Sequence, residues 1–348
     1  MTAHPMAGGV VAGAPPRPSR RLDRKLASIV SGGYTPDDFV LADAKDADMG
    51  FGLTAPGVIT GAAAGPVGPG RYRTRKAYLE AMGALVGQGL LDVLLTSAAN
   101  GERLVEEGLL DDEVTLAVRA NDTTDIWLAR GSTYPTEPSR PFRTADLRAV
   151  RPFCDLVLYS VTLNNDLGRD LATLEAYREF RAEAGALGMR HFLEVFNPNA
   201  PADLRPDQVA AFVNDSIVRL LAGVTAAERP LFLKMTYNGA EALAELVEHD
   251  PTLVVGILGG VAGTTRDTFE LLRRIETHGG RVALFGRKIQ QAESQLELVA
   301  LMPAVLRGEL RPDEAVKAYH EALVAAGIEP RRSVAADIEL TDLVLLAE

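Results

Sequence analysis

Cysteine is almost missing from this 348-residue chain: Cys154 stands alone. One thiol closes no internal disulfide, so the fold does without oxidative stapling and suits a reducing cytoplasm. Histidine is confined to His4, His191, His249, His278 and His320. His4 lies near the start, the last three fall on or near predicted helix ends, and His191 opens a predicted strand, so no paired-histidine zinc arrangement is available. No apolar run approaches the roughly 20 residues of a membrane-spanning helix. The formal net charge of -11 argues against a general nucleic-acid or anionic-membrane binder, while leaving room for a local basic pocket. Residues 1–19 are rich in Ala, Gly and Pro, with no basic segment leading into a compact apolar stretch. They read as a disordered tail rather than a secretion signal. One domain is expected over 20–330, including an N-terminal helix and C-terminal helices, followed by an extension over 331–348.

What is present is a regular alternation. Short apolar, β-branched runs recur at Phe39–Ala42, Leu91–Leu95, Thr115–Val118, Leu156–Tyr159, His191–Val195, Leu231–Met235, Leu253–Ile257 and Arg281–Phe285. Helical patterns lie between most of them, at 75–89, 101–108, 170–187, 207–222, 239–249 and 265–278, and again near 289–306 and 312–326. The third connection, 121–150, reads mostly as loop with a short helix near 144–149. Near-continuous apolar strands alternating with helices imply a parallel sheet covered by helices. Eight repeats favour an α/β fold of the closed (β/α)8 TIM-barrel type, with a parallel eight-stranded core. An open doubly wound sheet loses its best support because no glycine-rich dinucleotide fingerprint follows the first strand.

In such barrels chemistry gathers at the carboxyl ends of the strands. One of the few lysines, Lys234, sits inside the apolar sixth run Leu231-Phe232-Leu233-Lys234-Met235. A buried lysine gives up hydration and side-chain entropy, so its placement in a chain that otherwise prefers arginine suggests that an amine is required. Unlike a guanidinium, an amine can lose its proton, attack a carbonyl and form a Schiff base. Glu194, on the adjacent fifth strand, is the candidate proton carrier, and Asp43 at the end of the first is the second. Lys234 could instead be a structural partner of Glu194, and Asp43 could cap its loop. Arg119 is a candidate for binding substrate oxygens, with Asn121 at the same strand end and Tyr159, Asn164 and Tyr237 at other strand ends. Asp43, Asp46 and Asp48 are the residues that would hold a magnesium ion, were one bound.

Two glycine turns stand where barrels of this type bind phosphate. Gly259-Gly260, with Thr264 just beyond, ends the seventh strand, and Gly286-Arg287-Lys288 ends the eighth. Glycines let backbone N–H groups approach an anion, and helix N-termini carry partial positive charge. The segment 52–70 after the first strand, rich in Gly, Ala and Pro, is long enough for a lid.

With these residues in place, the chain resembles the metal-independent class I aldolase superfamily over roughly 35–325. That superfamily includes deoxyribose-phosphate, archaeal-type fructose-bisphosphate and tagatose-bisphosphate aldolases. Phe232-Leu233-Lys234-Met235-Thr236-Tyr237-Asn238-Gly239 is similar to the Schiff-base segment of the archaeal-type enzymes. Gly259-Gly260 with Thr264, and Gly286-Arg287-Lys288-Ile289, resemble their phosphate loops. Phe192-Leu193-Glu194 looks like the tagatose-bisphosphate branch, whose glutamate assists the lysine. Phe196 stands near the place of a tyrosine in the archaeal-type enzymes. The resemblance implies an imine on Lys234, Glu194 as its proton-transfer partner, no cofactor and no metal. Its substrate would be a small phosphorylated sugar or sugar acid, and its assembly a cytoplasmic homo-oligomer. Val118–Asp125 and Leu163–Asp166 look like a bacterial branch associated with inositol breakdown. That would imply cleavage of a phosphorylated 2-deoxy-5-keto sugar acid (5-dehydro-2-deoxyphosphogluconate) into dihydroxyacetone phosphate and malonate semialdehyde. The competing expectations are a transaldolase, a sugar-phosphate isomerase or epimerase working through Glu194 and Asp43, and a sugar-phosphate-binding barrel without turnover.

Overall fold

Strands that are apolar on both faces suit a sheet closed on itself and covered by helices. The computed structural model describes residues 19–59 and 71–347. Its eight strands are β1 (Val40–Lys45), β2 (Val93–Thr96), β3 (Thr115–Arg119), β4 (Leu156–Thr162), β5 (Arg190–Phe196), β6 (Leu233–Met235), β7 (Gly256–Leu258) and β8 (Val282–Phe285). All pair in parallel with their sequence neighbours, and β8 returns to β1 to complete a closed barrel. The fold is therefore the expected (β/α)8 barrel. Most strands start level with, or up to three residues after, the apolar runs that announce them, and β5 starts one residue before its run. Leu253–Val255, for example, is buried but precedes the paired segment of β7.

Side-chain parity separates two cores, because successive strand residues point to opposite faces. Val40, Ala42, Ala44, Val93, Leu95, Ala117, Leu158, Phe192, Phe232 and Leu284 share one apolar cluster inside the barrel. Leu41, Leu94, Val118, Tyr159, Leu193, Leu233 and Phe285 belong to the larger cluster between strands and helices. The helix Arg21–Val30 places Leu22 and Leu26 in the inner cluster, so it plugs the amino end of the barrel. Lys25 Nζ fastens it, donating to the Phe39 carbonyl at 2.7 Å and to Asp92 at 2.9 Å. With that end sealed, a ligand can approach only from the carboxyl ends of the strands.

The third connection is irregular, as expected, apart from a short antiparallel pair (Asp122–Thr123 with Pro141–Phe142) and the helix Leu147–Val150. The helical stretch after β8 is broken into Arg287–Gln290 and Gln295–Leu306. Residues 331–347 fold back onto the helix Thr265–Thr277: the Thr265 N–H donates to Asp337 at 2.9 Å and the Thr341 N–H to Asp267 at 2.8 Å. Residues 1–18 of the expected tail (1–19) and 60–70 of the expected lid (52–70) lie outside the described residues. Among the described residues no helix is long and apolar enough to cross a membrane.

Candidate active site

Register brings three polar residues into one row across adjacent strands. Ser160 on β4 pairs with Glu194 on β5, and Glu194 pairs with Lys234 on β6. The inward parity of Phe192 and Phe232 continues two residues later to Glu194 and Lys234, so both reach the barrel mouth. Lys234 Nζ lies 2.6 Å from Glu194 Oε1. The other carboxylate oxygen accepts from Ser160 Oγ at 2.6 Å and from Arg119 Nη2 at 2.8 Å. Arg119 Nη1 donates to Ser160 Oγ at 2.7 Å, and its Nε to Asp46 Oδ2 at 2.5 Å. Lys234, Arg119, Glu194 and Asp46 thus form a buried group of two cations and two anions.

Burial alone would push both carboxyls up. For Glu194 the charges of Lys234 and Arg119 outweigh it, and for Asp46 those of Arg119 and Lys234 do. Both acids are therefore held below the usual carboxylate range and are ionised at neutral pH. Any proton leaving Nζ has an ionised acceptor within hydrogen-bond distance.

The group lines a cavity of about 730 Å³. Gly259, Gly260, Gly286 and Arg287 line the same cavity, so the amine and both glycine turns open at one end of the barrel. The turns are sterically fixed. Gly260 has φ +65°, in the left-handed region. A Cβ at Gly286 would come within 2.9 Å of the Ala44 carbonyl oxygen. Phe196, Tyr72, Arg73 and Arg130 line other parts of the wall.

Several residues expected at the site are placed elsewhere. Asp43 has the outward parity of Leu41 and is fully buried behind the barrel wall. There Lys45 Nζ stands 3.1 Å from its Oδ1, and Lys45 also donates to Gln295 at 3.0 Å. Burial raises the Asp43 carboxyl to about 6, with Lys45 opposing that rise. The acid that reaches Arg119 is Asp46, immediately after β1, because the inward series Val40, Ala42, Ala44 continues to it. Tyr159 also faces outward, packed between Tyr177 and Phe180 with ring centroids 5.2 and 4.4 Å away. Tyr237 belongs to the same outer core.

Asn164 braces loops, donating to Asn199 at 3.0 Å and accepting from the Ala200 N–H at 2.9 Å. Asn121 grips the Ser160 backbone in both directions, at 2.6 and 2.8 Å, and so aligns Ser160 rather than facing the cavity. Thr264 caps its helix, and its hydroxyl donates to the Glu339 carbonyl at 2.8 Å. Asp43, Asp46 and Asp48 do not converge: among the described residues no group of three or more His, Cys, Asp or Glu is placed to hold a metal ion. Ser160 was the residue missed, and Asp46 was named only as a magnesium ligand, with Asp43 preferred as the acid. Inward parity, counted from Leu156-Leu158 and from Ala42-Ala44, would have found both.

No family model and no curated protein matches the sequence. Solved structures do share its fold. An archaeal fructose-1,6-bisphosphate aldolase, determined with its catalytic lysine covalently bound to a carbinolamine intermediate, superposes with a TM-score of 0.58 at 13% identity, over 82% of this chain and 100% of the other. A Schiff-base-forming fructose-1,6-bisphosphate aldolase gives 0.59 at 14% identity, over 82% and 99%. A fructose-bisphosphate aldolase from Slackia heliotrinireducens gives 0.60 at 16% identity, over 86% and 91%. At these identities the likeness establishes a common barrel.

Proposed function

We propose that the protein is an aldolase that works through an imine on Lys234 and cleaves or forms a phosphorylated keto sugar or keto sugar acid. One observation carries this reading: a nearly inaccessible amine, 2.6 Å from an ionised carboxylate, faces a cavity that also contains both glycine turns. The likeness to aldolases that carry their intermediate on a lysine supports it.

In the cleavage direction Nζ gives a proton to Glu194 and adds to the substrate carbonyl carbon, forming a C–N bond. The former carbonyl oxygen takes up two protons, one from the nitrogen and one back from Glu194, and leaves as water, which yields the iminium and an ionised Glu194. That cation draws electrons from the neighbouring bond. The carbon–carbon bond breaks as the substrate hydroxyl loses its proton to Glu194 or Asp46, releasing an aldehyde and leaving an enamine. Protonation and hydrolysis of the enamine free the second product and restore the amine. Arg119 fixes both carboxylates, and the backbone N–H groups of the glycine turns hold the phosphate. A retro-aldol screen of phosphorylated ketoses and keto acids, including the 2-deoxy-5-keto sugar acid and run with and without EDTA, tests the reading. Turnover insensitive to EDTA is expected; no cleavage of any member of either class would refute it.

Asp43 and Asp46 make a direct contrast. Asp46→Asn should lower kcat by about 10²- to 10³-fold, because Arg119 and the reacting hydroxyl lose a charged partner. Asp43→Asn should leave the folded enzyme active and instead lower its thermal stability, since Lys45 stays buried without its anion. Steady-state kinetics and melting curves on both variants check this. A folded but inactive Asp43→Asn would return Asp43 to the reaction.

A further inference from the structure

Three lysines in this fold are more than nine-tenths buried: Lys45, Lys234 and Lys288. Two of them have a carboxylate close by, Lys45 at 3.1 Å and Lys234 at 2.6 Å. Lys288 does not. Among the described residues its ammonium has no ion-pair partner within 4 Å, and its one acceptor is the Ala262 carbonyl at 3.3 Å. An ammonium carries three donors, so a buried one with a single long hydrogen bond is poorly compensated. The chain keeps a charge here that the fold does not use.

Its position indicates the use. Lys288 is the second residue of the short helix that opens at Gly286-Arg287, the turn after β8. Its stem runs beside the turn after β7: a Cβ at Gly259 would meet Lys288 Cδ at 3.4 Å and the Phe285 ring at 3.1 Å. The amine then reaches Ala262 at the far side of the same turn. The turn is held from outside as well, where Asp267 accepts from the Thr264 N–H at 2.9 Å and from the Thr341 N–H at 2.8 Å. Lys288 is thus the side chain that spans both glycine turns from behind, just off the cavity wall that Gly259, Gly260, Gly286 and Arg287 form.

Building on the phosphate site proposed above, we propose that Lys288 is a positioning residue for the substrate phosphate. It locks the two turns in register and supplies the positive charge behind their backbone N–H groups. The charged groups around it agree with this. Burial lowers its pKa to about 8; Asp267 and Asp342 pull it upward, and Arg287 pushes it down. Near neutral pH the amine is close to its titration point, and an anion in the cradle favours the protonated form. By linkage, phosphate affinity falls as pH rises through that point and Lys288 loses its proton.

Titration calorimetry of the full chain with inorganic phosphate tests the assignment, using wild type, Lys288→Met and Lys288→Arg between pH 6.5 and 9. Wild type should bind phosphate and weaken as the pH rises. Lys288→Met should bind about 10- to 100-fold more weakly and lose the basic limb of that dependence. Lys288→Arg should recover part of the affinity with no basic limb. With a phosphorylated substrate, KM of Lys288→Met should rise by more than kcat falls, and melting curves verify that each variant is folded. Equal phosphate affinity and an unchanged pH profile in folded Lys288→Met would overturn the proposal. Failure of wild type to bind phosphate would overturn it together with the phosphate site beneath it. Borohydride trapping of wild type with an unphosphorylated carbonyl compound then shows whether the imine chemistry of Lys234 stands without that site.

Discussion

Lys234→Arg should abolish both borohydride-trappable adduct and carbon–carbon cleavage, with kcat falling by a factor on the order of 10⁴ or more. Arginine is the decisive substitution because it separates charge from nucleophilicity. A guanidinium keeps a cation against Glu194, so the buried charge balance with Arg119 and Asp46 is preserved. It stays protonated, so it cannot add to a carbonyl. Lys234→Met is less informative, since it also deletes a cation from that balance and the loss of a buried partner costs about 3–5 kcal/mol. Mass spectrometry of the wild-type protein after borohydride and substrate should find the added mass on the peptide containing Lys234. Lys45 and Lys288 provide internal controls: both are buried amines, and neither lines the cavity. An adduct on either of them, or substantial turnover by Lys234→Arg, would refute the imine mechanism. The isomerase alternative predicts residual activity in the arginine variant, because it asks only for a positive charge.

The amine and its carboxylate were legible in the sequence because each interrupts an apolar strand, and such an interruption has few structural explanations. The barrel was legible for a related reason, the repeated alternation of strand and helix. What the sequence did not give up is the side of the wall on which a residue falls. Asp43, Asp46 and Asp48 sit within six positions of one another, yet only parity decides that Asp46 reaches Arg119 while Asp43 is walled in with Lys45. Parity needs an anchor, and β1 offers one in its small inward residues Ala42 and Ala44, set against Leu41 outside. The same count turns Tyr159 outward and Ser160 inward. The function of Thr264 was hidden differently. Its partner, the Glu339 carbonyl, lies 75 positions away, in a C-terminal segment that no local pattern attaches to the seventh strand.

Glu194→Gln should lower kcat by about 10²- to 10⁴-fold, with a much smaller change in KM, because the amide keeps the shape of the carboxylate but cannot accept the proton that leaves Nζ. The geometry makes this residue pivotal for stability as well. One oxygen faces Lys234 and the other takes hydrogen bonds from Ser160 and Arg119. Glu194→Leu therefore leaves two buried cations with Asp46 as their remaining close anion, at a cost of about 3–5 kcal/mol. The pH dependence follows from the direction of the shift. The Glu194 carboxyl lies below its ordinary value of 4.5 in the folded state, so the folded protein binds that proton less readily than the unfolded chain. Its contribution to stability is complete above 4.5 and disappears as the pH falls through the lower, folded value. In Glu194→Gln this part of the acid loss should vanish, so the melting temperature should fall less steeply below pH 4.5 than in wild type. Melting curves from pH 7 to 3 measure the difference, and single-turnover trapping on Lys234 separates slower imine formation from slower bond cleavage. Were Glu194→Gln to cleave substrate at the wild-type rate, the proton would have to leave Nζ by another acceptor. Asp46, paired with the other side of the Arg119 guanidinium and itself held ionised in part by Lys234, is the candidate to take it.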